Sequence, residues 1–275
     1  MERLSVLPVS LFSSFRSGAV TIADWAQMAK KIGLSYIDVP NWAFQSHTPV
    51  YLNRLKTELQ CMGMRLAMVG AYPDFTNPDP LQRERELDYL KRDIALSSQM
   101  GARYLRVTDG QAHPGVSREQ GVSWAVEGLA KAAQSAKQYG VQLAFENHGH
   151  PSAWIYDDFS HPVSIFLELA EALQGAGVGV NFDSGNATGC GVDALWLLKQ
   201  VYGSVVSLHI SDTASNITTQ HTALGGGASP IGEILAYLKK NNYQGWFSIE
   251  EDSNNGMDGI YQSVAYVNGL WDAIS

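Results

Sequence analysis

The chain has 275 residues, 45% of them hydrophobic, with a net charge of −8 and a pI near 5.3. That composition can bury a full core, while the acidic balance argues against nucleic acid, whose binders ordinarily carry a basic stripe. No run of about 18 apolar residues offers a membrane span, and Cys61 and Cys190 lie too far apart for a CxxC motif or a disulfide framework. A reduced, cytoplasmic setting is expected. The apolar stretch within the opening MERLSVLPVSLFSSF is too short for a secretory signal and reads better as a first strand.

Taken in chain order, hydrophobic periodicity predicts eight strands, each followed by a helix. A strand near 4–10 leads to a helix over 21–32, where Thr21 precedes Asp24 in the first turn and Gly33 follows the end. Next come a strand at 36–40 with a helix at 49–62, and a strand at 65–70 with a helix at 80–100 closed by Gly101. The strand at 104–109 precedes a helix at 117–139, which opens on Ser117 with Glu119 and Gln120 and stops before Gly140. The remaining pairs are 142–148 with 161–174, 178–184 with 191–202, 205–211 with 230–241, and 246–251 with 257–272. Strands alternating with helices imply parallel pairing through right-handed crossovers. Eight such units close a single (β/α)8 TIM barrel, an α/β fold, and nothing interrupts the series, so residues 1–275 are expected to form one domain.

Alternation of side chains across a strand assigns each polar residue in the last four strands to a face. Leu143 and Phe145 oppose Ala144, Glu146 and His148; Val178, Val180 and Phe182 oppose Asn181 and Asp183. Val206, Leu208 and Ile210 oppose Ser207, His209 and Ser211; Phe247 and Ile249 oppose Ser248, Glu250 and Asp252. With the apolar faces packed on helices, Glu146, Asp183, His209 and Glu250 all turn to the other face near a strand's C-terminal end. Active sites of such barrels form at that end, so the four residues point to one shared metal site. All seven histidines also fall at strand ends or in strand-to-helix segments.

The segments LAFENHGHP (143–151), VGVNFDSGN (178–186), SLHISDT (207–213) and NNYQGWFSIEED (241–252) resemble those of the xylose isomerase-like sugar phosphate isomerase/epimerase superfamily. That superfamily includes ketose 3-epimerases, inosose dehydratases and endonuclease IV-type enzymes. The stretch at 81–107 is a weaker match to the helix before strand four, and the resemblance runs from about residue 20 to the end. It implies one divalent ion held by Glu146, Asp183, His209 and Glu250, whereas Glu251 turns outward by strand parity. An oxygen-rich set of this kind suits Mn²⁺ or Mg²⁺, with Co²⁺ or Zn²⁺ able to substitute. It further implies proton abstraction next to a carbonyl through a metal-stabilised enediolate, with Glu146 and Glu250 as the acid/base pair flanking the substrate.

The expected reaction is therefore isomerisation or epimerisation of a small keto sugar or polyol. The alternative is a lyase of the inosose or dehydroshikimate dehydratase type, using the same metal and base. An endonuclease IV-like enzyme would carry a histidine three residues after the aspartate, where this chain has Asn186. A non-catalytic binding role leaves the paired glutamates without a purpose. His148, Asn186, Arg106 and His221 are expected to contact substrate, and His150 is a weaker candidate. Ketose 3-epimerases usually have histidine at the Asn186 position and arginine at the Ser215 position, so the resemblance stays at superfamily level. Arg106 reads as an inward residue facing a carboxylate, either near the mouth or a structural acid such as Asp38. Arg16 and Trp42 lie in the first two loops, where they could cover the substrate. The run Gly225–Gly226–Gly227 before Ser229 and Pro230 could hold a phosphate at a helix start. No Lys or Arg occurs between Thr213 and Leu238, so a mobile closing segment and a non-phosphorylated substrate are expected instead. Trp25, Trp124, Trp196 and Trp271 fall in helices and should be buried against the barrel. Pairing into a homo-oligomer through outer helices or long loops is a further expectation.

Overall fold

The computed structural model describes residues 1–149 and 154–274. Eight parallel strands follow the order β1 (Leu4–Pro8), β10 (Trp246–Glu251), β7 (Val205–Ile210), β6 (Gly179–Asp183), β5 (Gln142–Glu146), β4 (Tyr104–Val107), β3 (Arg65–Gly70) and β2 (Tyr36–Pro40). The two ends of that order, β1 and β2, lie against each other, so the sheet curls into a nearly closed (β/α)8 barrel. The helices α2 (Ile22–Lys31), α3 (Pro49–Cys61), α4 (Pro80–Met100), α5 (Arg118–Tyr139), α6 (Val163–Gln174), α8 (Ala194–Val201), α9 (Ile231–Lys240) and α10 (Gly256–Ala273) form the outer ring.

Local signals explain these boundaries. Thr21 and Asp24 form a reciprocal capping box at the start of α2, as Ser117 and Gln120 do for α5, and Pro49 and Pro80 open α3 and α4. Gly101 and Gly140 end α4 and α5 with left-handed backbones at φ 80 and 67, a region that excludes most side chains. Three elements escaped the periodicity: the short helices α1 (Phe12–Ser17) and α7 (Ser184–Gly189), and a hairpin of β8 (Thr213–Ser215) with β9 (Thr218–His221). Pieces of three to six residues hold too few positions for a period to register.

Outward strand residues such as Val180, Phe182, Leu208 and Ile249 join the apolar layer beneath the helices. The barrel interior differs from floor to mouth. Its floor is an apolar plug of Met68, Tyr104 and Trp246. Above it, Ser5, Asp38, Arg106, Asn181, Ser207 and Ser248 replace the branched apolar residues that usually fill barrel layers. Asp38 accepts hydrogen bonds from Ser5 Oγ (2.6 Å) and Ser248 Oγ (2.5 Å), and Trp246 Nε1 donates to Ser5 Oγ (2.8 Å). Of the helical tryptophans, Trp25 is fully buried, but Trp196 is 44% exposed, contrary to expectation. It lies on the outward side of α8, whose buried side is Ala194, Leu197, Leu198 and Val201.

Candidate metal centre

β5, β6, β7 and β10 are consecutive in the barrel, so the residues at their C-terminal ends meet along one arc of the mouth. One ligand atom from each of Glu146, Asp183, His209 and Glu250 lies within 4.8 Å of every other. Register explains the convergence: Asp183 pairs with His209, and Ser248, two residues before Glu250, also pairs with His209. His209 Nδ1 sits 2.6 Å from Glu146 Oε1 and 2.7 Å from Glu250 Oε2, and 4.0 Å from Asp183 Oδ2.

Neighbouring side chains fix the carboxylates. Asn181 Nδ2 donates to Glu146 Oε1 at 2.6 Å, and Ser207 Oγ orients that amide by donating to Asn181 Oδ1 at 2.6 Å. Asp183 Oδ1 accepts from Ser211 Oγ at 2.7 Å and from the backbone N–H of Asn186 at 2.6 Å. A side chain on Gly185 would run into Ser211 Oγ, which lies 2.4 Å from where its Cβ would stand. What remains is informative. Asp183 Oδ2 and His209 Nε2 are buried without a hydrogen-bond partner, while Glu146 Oε2 and Glu250 Oε2 are met by the ion-pair contacts of Arg106 Nε and His209 Nδ1. Buried polar atoms are normally satisfied, so two such atoms among four converging residues fit a bound cation.

Charge supports the same fit. Three carboxylates gather here with one guanidinium, that of Arg106, whose Nε lies 3.3 Å from Glu146 Oε2. The formal shortfall of two positive charges is what a divalent ion supplies. Without it, burial and the charges of Glu250 and Glu146 push the Asp183 carboxyl up to about 7. Burial alone would lower the His209 imidazole, but Glu146 and Glu250 hold it well above its usual value. Burial raises and His209 lowers the Glu250 carboxyl, with a net shift downward.

The other expected site residues are arranged around this cluster. Arg106 is buried and pairs with Glu146 rather than Asp38, which lies among Ser5 and Ser248 deeper in the barrel. Its Nη2 donates to Tyr72 Oη at 2.6 Å, and Gly70 gives it room, since a Cβ there would stand 3.2 Å from Nη2. His148 Nδ1 contacts Asp158 Oδ2 at 2.6 Å while Nε2 points toward Glu146 Oε2 at 3.9 Å. Burial would lower its pKa, yet Asp158 raises it overall. Asn186 is buried with its Nδ2 unpartnered. His221, on β9, is near enough for its charge to lower the Glu250 and Asp183 carboxyls. His150 lies outside the described residues. Arg16 stacks on Trp42 at 4.8 Å.

The glycine run behaves differently from expectation. It is neither a phosphate cradle nor a free closing segment, because the buried Asp212 carboxylate fills it. Asp212 Oδ2 accepts from the N–H groups of Gly225 and Gly227, both at 3.0 Å, and Oδ1 from Ser229 at 2.9 Å and Thr213 at 3.0 Å. An internal carboxylate thus takes the place an external anion would need.

Sequence reasoning missed Tyr72 and the roles of Asn181 and Ser211. Strand parity already put Asn181 and Ser211 inward, and continuing the β3 row from Met68 through Gly70 reaches Tyr72. Asp158 gave no such signal, since it reaches His148 from a long loop.

Residues 26–269 match the family described as the xylose isomerase-like TIM barrel, and the chain belongs to that family. It is 26% identical over 174 residues to a probable endonuclease 4 of Acholeplasma laidlawii, a match covering 59% of this chain and 58% of that protein. The chain thus spans less than two thirds of that relative's length. It is 19% identical over 263 residues to the L-ribulose-5-phosphate 3-epimerase UlaE of Escherichia coli, covering 92% of this chain and 89% of that one. The crystal structure of IOLI protein with a binding zinc atom superposes with a TM-score of 0.83 at 17% identity, covering 99% of each chain. Among the described residues no helix is long and apolar enough to cross a membrane.

Proposed function

We propose that this member of the xylose isomerase-like family is a divalent-metal-dependent isomerase or epimerase of a small, non-phosphorylated keto sugar. The observation that carries the reading is the convergence of ligand atoms of Glu146, Asp183, His209 and Glu250 within 4.8 Å, with the buried Asp183 Oδ2 and His209 Nε2 left without a hydrogen-bond partner. Those four residues would hold the ion, and their mainly oxygen donors suit Mn²⁺ or Mg²⁺. When bound, such an ion polarises a substrate carbonyl and so acidifies the neighbouring C–H.

Glu146 and Glu250 approach His209 Nδ1 as two separate carboxylates. One removes the α-proton; the other returns a proton to the opposite face for epimerisation, or to the adjacent carbon for isomerisation. Arg106 beside Glu146 favours its ionised, proton-accepting form, and Asn181 holds Oε1 so that Oε2 stays on the Arg106 side. His148, Asn186 and His221 surround the centre with donors for sugar hydroxyls. The filled Asp212 cradle supports a substrate without phosphate.

The test is proton NMR in D₂O with metal-stripped protein, with and without Mn²⁺, on ketoses, keto-inositols and dehydroshikimate. Metal-dependent deuterium uptake next to a carbonyl is expected, and Glu146→Gln should slow it by about 10²–10⁴-fold. Water loss without an epimer or isomer would replace this reading with a dehydratase. Stoichiometric metal binding without exchange on any compound would overturn the acid/base assignment.

A further inference from the structure

On the β2–β3 side of the mouth lies a cleft of about 360 Å³ that no step above uses, a size typical of small-ligand pockets. Tyr72 joins it to the metal centre: it lines the cleft, while its hydroxyl accepts from Arg106 and its ring stands edge-on to His148 at 5.9 Å. Two further walls are aromatic. Trp42 is braced by Arg16 at 4.8 Å and edge-on by Phe12 at 4.9 Å, and Tyr89 stands 49% exposed on α4.

The polar part of the lining is mixed: the carboxylates Asp93 and Glu86 stand with Arg92, His47 and Asn41. Asp93 is only 6% exposed. Its Oδ2 accepts from Asn41 Nδ2 at 2.8 Å, and Oδ1 receives no hydrogen bond from the described residues. Glu86 adds a second, half-buried carboxylate. Asp93 and Glu86 offer acceptors and Arg92 and His47 offer donors, so the lining suits a neutral ligand that hydrogen-bonds in both directions. Flat aromatic walls beside carboxylate acceptors suit a neutral ring that has apolar faces and hydroxyls on its rim.

Building on the metal-centre reading, we infer that this cleft receives a second, hydroxyl-bearing sugar or cyclitol ring, joined to the keto sugar that reacts at the metal. The substrate is then glycoside-sized. Asp93 accepts from a hydroxyl of the distal ring, Trp42 and Tyr89 stack on it, and Tyr72 marks the junction.

The experiment is a saturation-transfer NMR titration of lactulose and of fructose with wild-type protein and the Glu146→Gln, Tyr89→Ala and Asp93→Asn variants. Lactulose should bind about tenfold more tightly than fructose, the scale of one hydrogen bond to a charged group. Asp93→Asn and Tyr89→Ala should erase the advantage, and Glu146→Gln should preserve it. Tyr89 is a surface residue, so its variant separates loss of binding from loss of folding. Equal affinities, an advantage that survives both cleft variants, or displacement of lactulose by inorganic phosphate would each overturn the inference. An advantage seen without deuterium exchange would leave the cleft standing and sink the isomerase reading.

Discussion

Two buried carboxylates at the mouth, Asp183 at the end of β6 and Asp212 just past β7, show what separates a candidate ligand from a structural carboxylate. Both are 0–1% exposed and both accept backbone N–H bonds. Asp212 satisfies both oxygens with four N–H groups of its own loop. Asp183 satisfies only Oδ1 and leaves Oδ2 among the converging ligand-type atoms. Burial alone does not mark a candidate ligand; convergence with other ligand-type atoms does.

The largest expected effect breaks the Asp212 side of this contrast. Asp212→Asn places an NH₂ against backbone donors, which should cost about 3 kcal/mol of stability. Thermal or urea unfolding measures it, and metal stoichiometry should be unchanged in the folded fraction. If the variant unfolds like the parent, the loop is not held by this carboxylate.

The Asp183–Glu146 side is sharpened by Asn181→Leu, which removes the donor on Glu146 Oε1. Supporting residues of metal ligands usually matter by about 10–100-fold in affinity or activity. Mn²⁺ titration and exchange kinetics should both fall in that range, with little change in unfolding. A loss confined to stability would demote Asn181 to a packing residue.

The smallest effect is a slope with pH. Asp183 near 7 and the raised His209 both hold protons at low pH in the metal-free protein, and both must release them to bind an ion. Apparent metal affinity should therefore rise with pH, by about tenfold per unit for each proton displaced. A competition titration between about pH 6 and pH 8 reads this; a flat profile would mean that these two residues are not ligands.

Much of the site was legible because strand parity is a covalent property. Once 143–146, 179–183, 205–210 and 246–251 are strands, Glu146, Asp183, His209 and Glu250 must share the inner face. The same rule turned Asn181, Ser207 and Arg106 inward. It did not say which acid Arg106 would meet, because Glu146 and Asp38 occupy the same face on different strands. Only the register of β4 against β5 and β3 decided for Glu146. Nor did it read the glycine run, whose anion lies thirteen residues upstream of Gly225, at Asp212.

The sequence by itself determined the eight-fold alternation, the barrel and the face on which the candidate ligand residues stand, since period and chirality act along the chain. Tertiary structure decided which polar atoms were satisfied and which were left vacant: Asp212 enclosed by its own loop, Glu146 held between Asn181 and Arg106, and Asp93 with an open oxygen beside Trp42. Those outcomes depend on distances between strands and loops remote in sequence, and no local pattern encodes such distances.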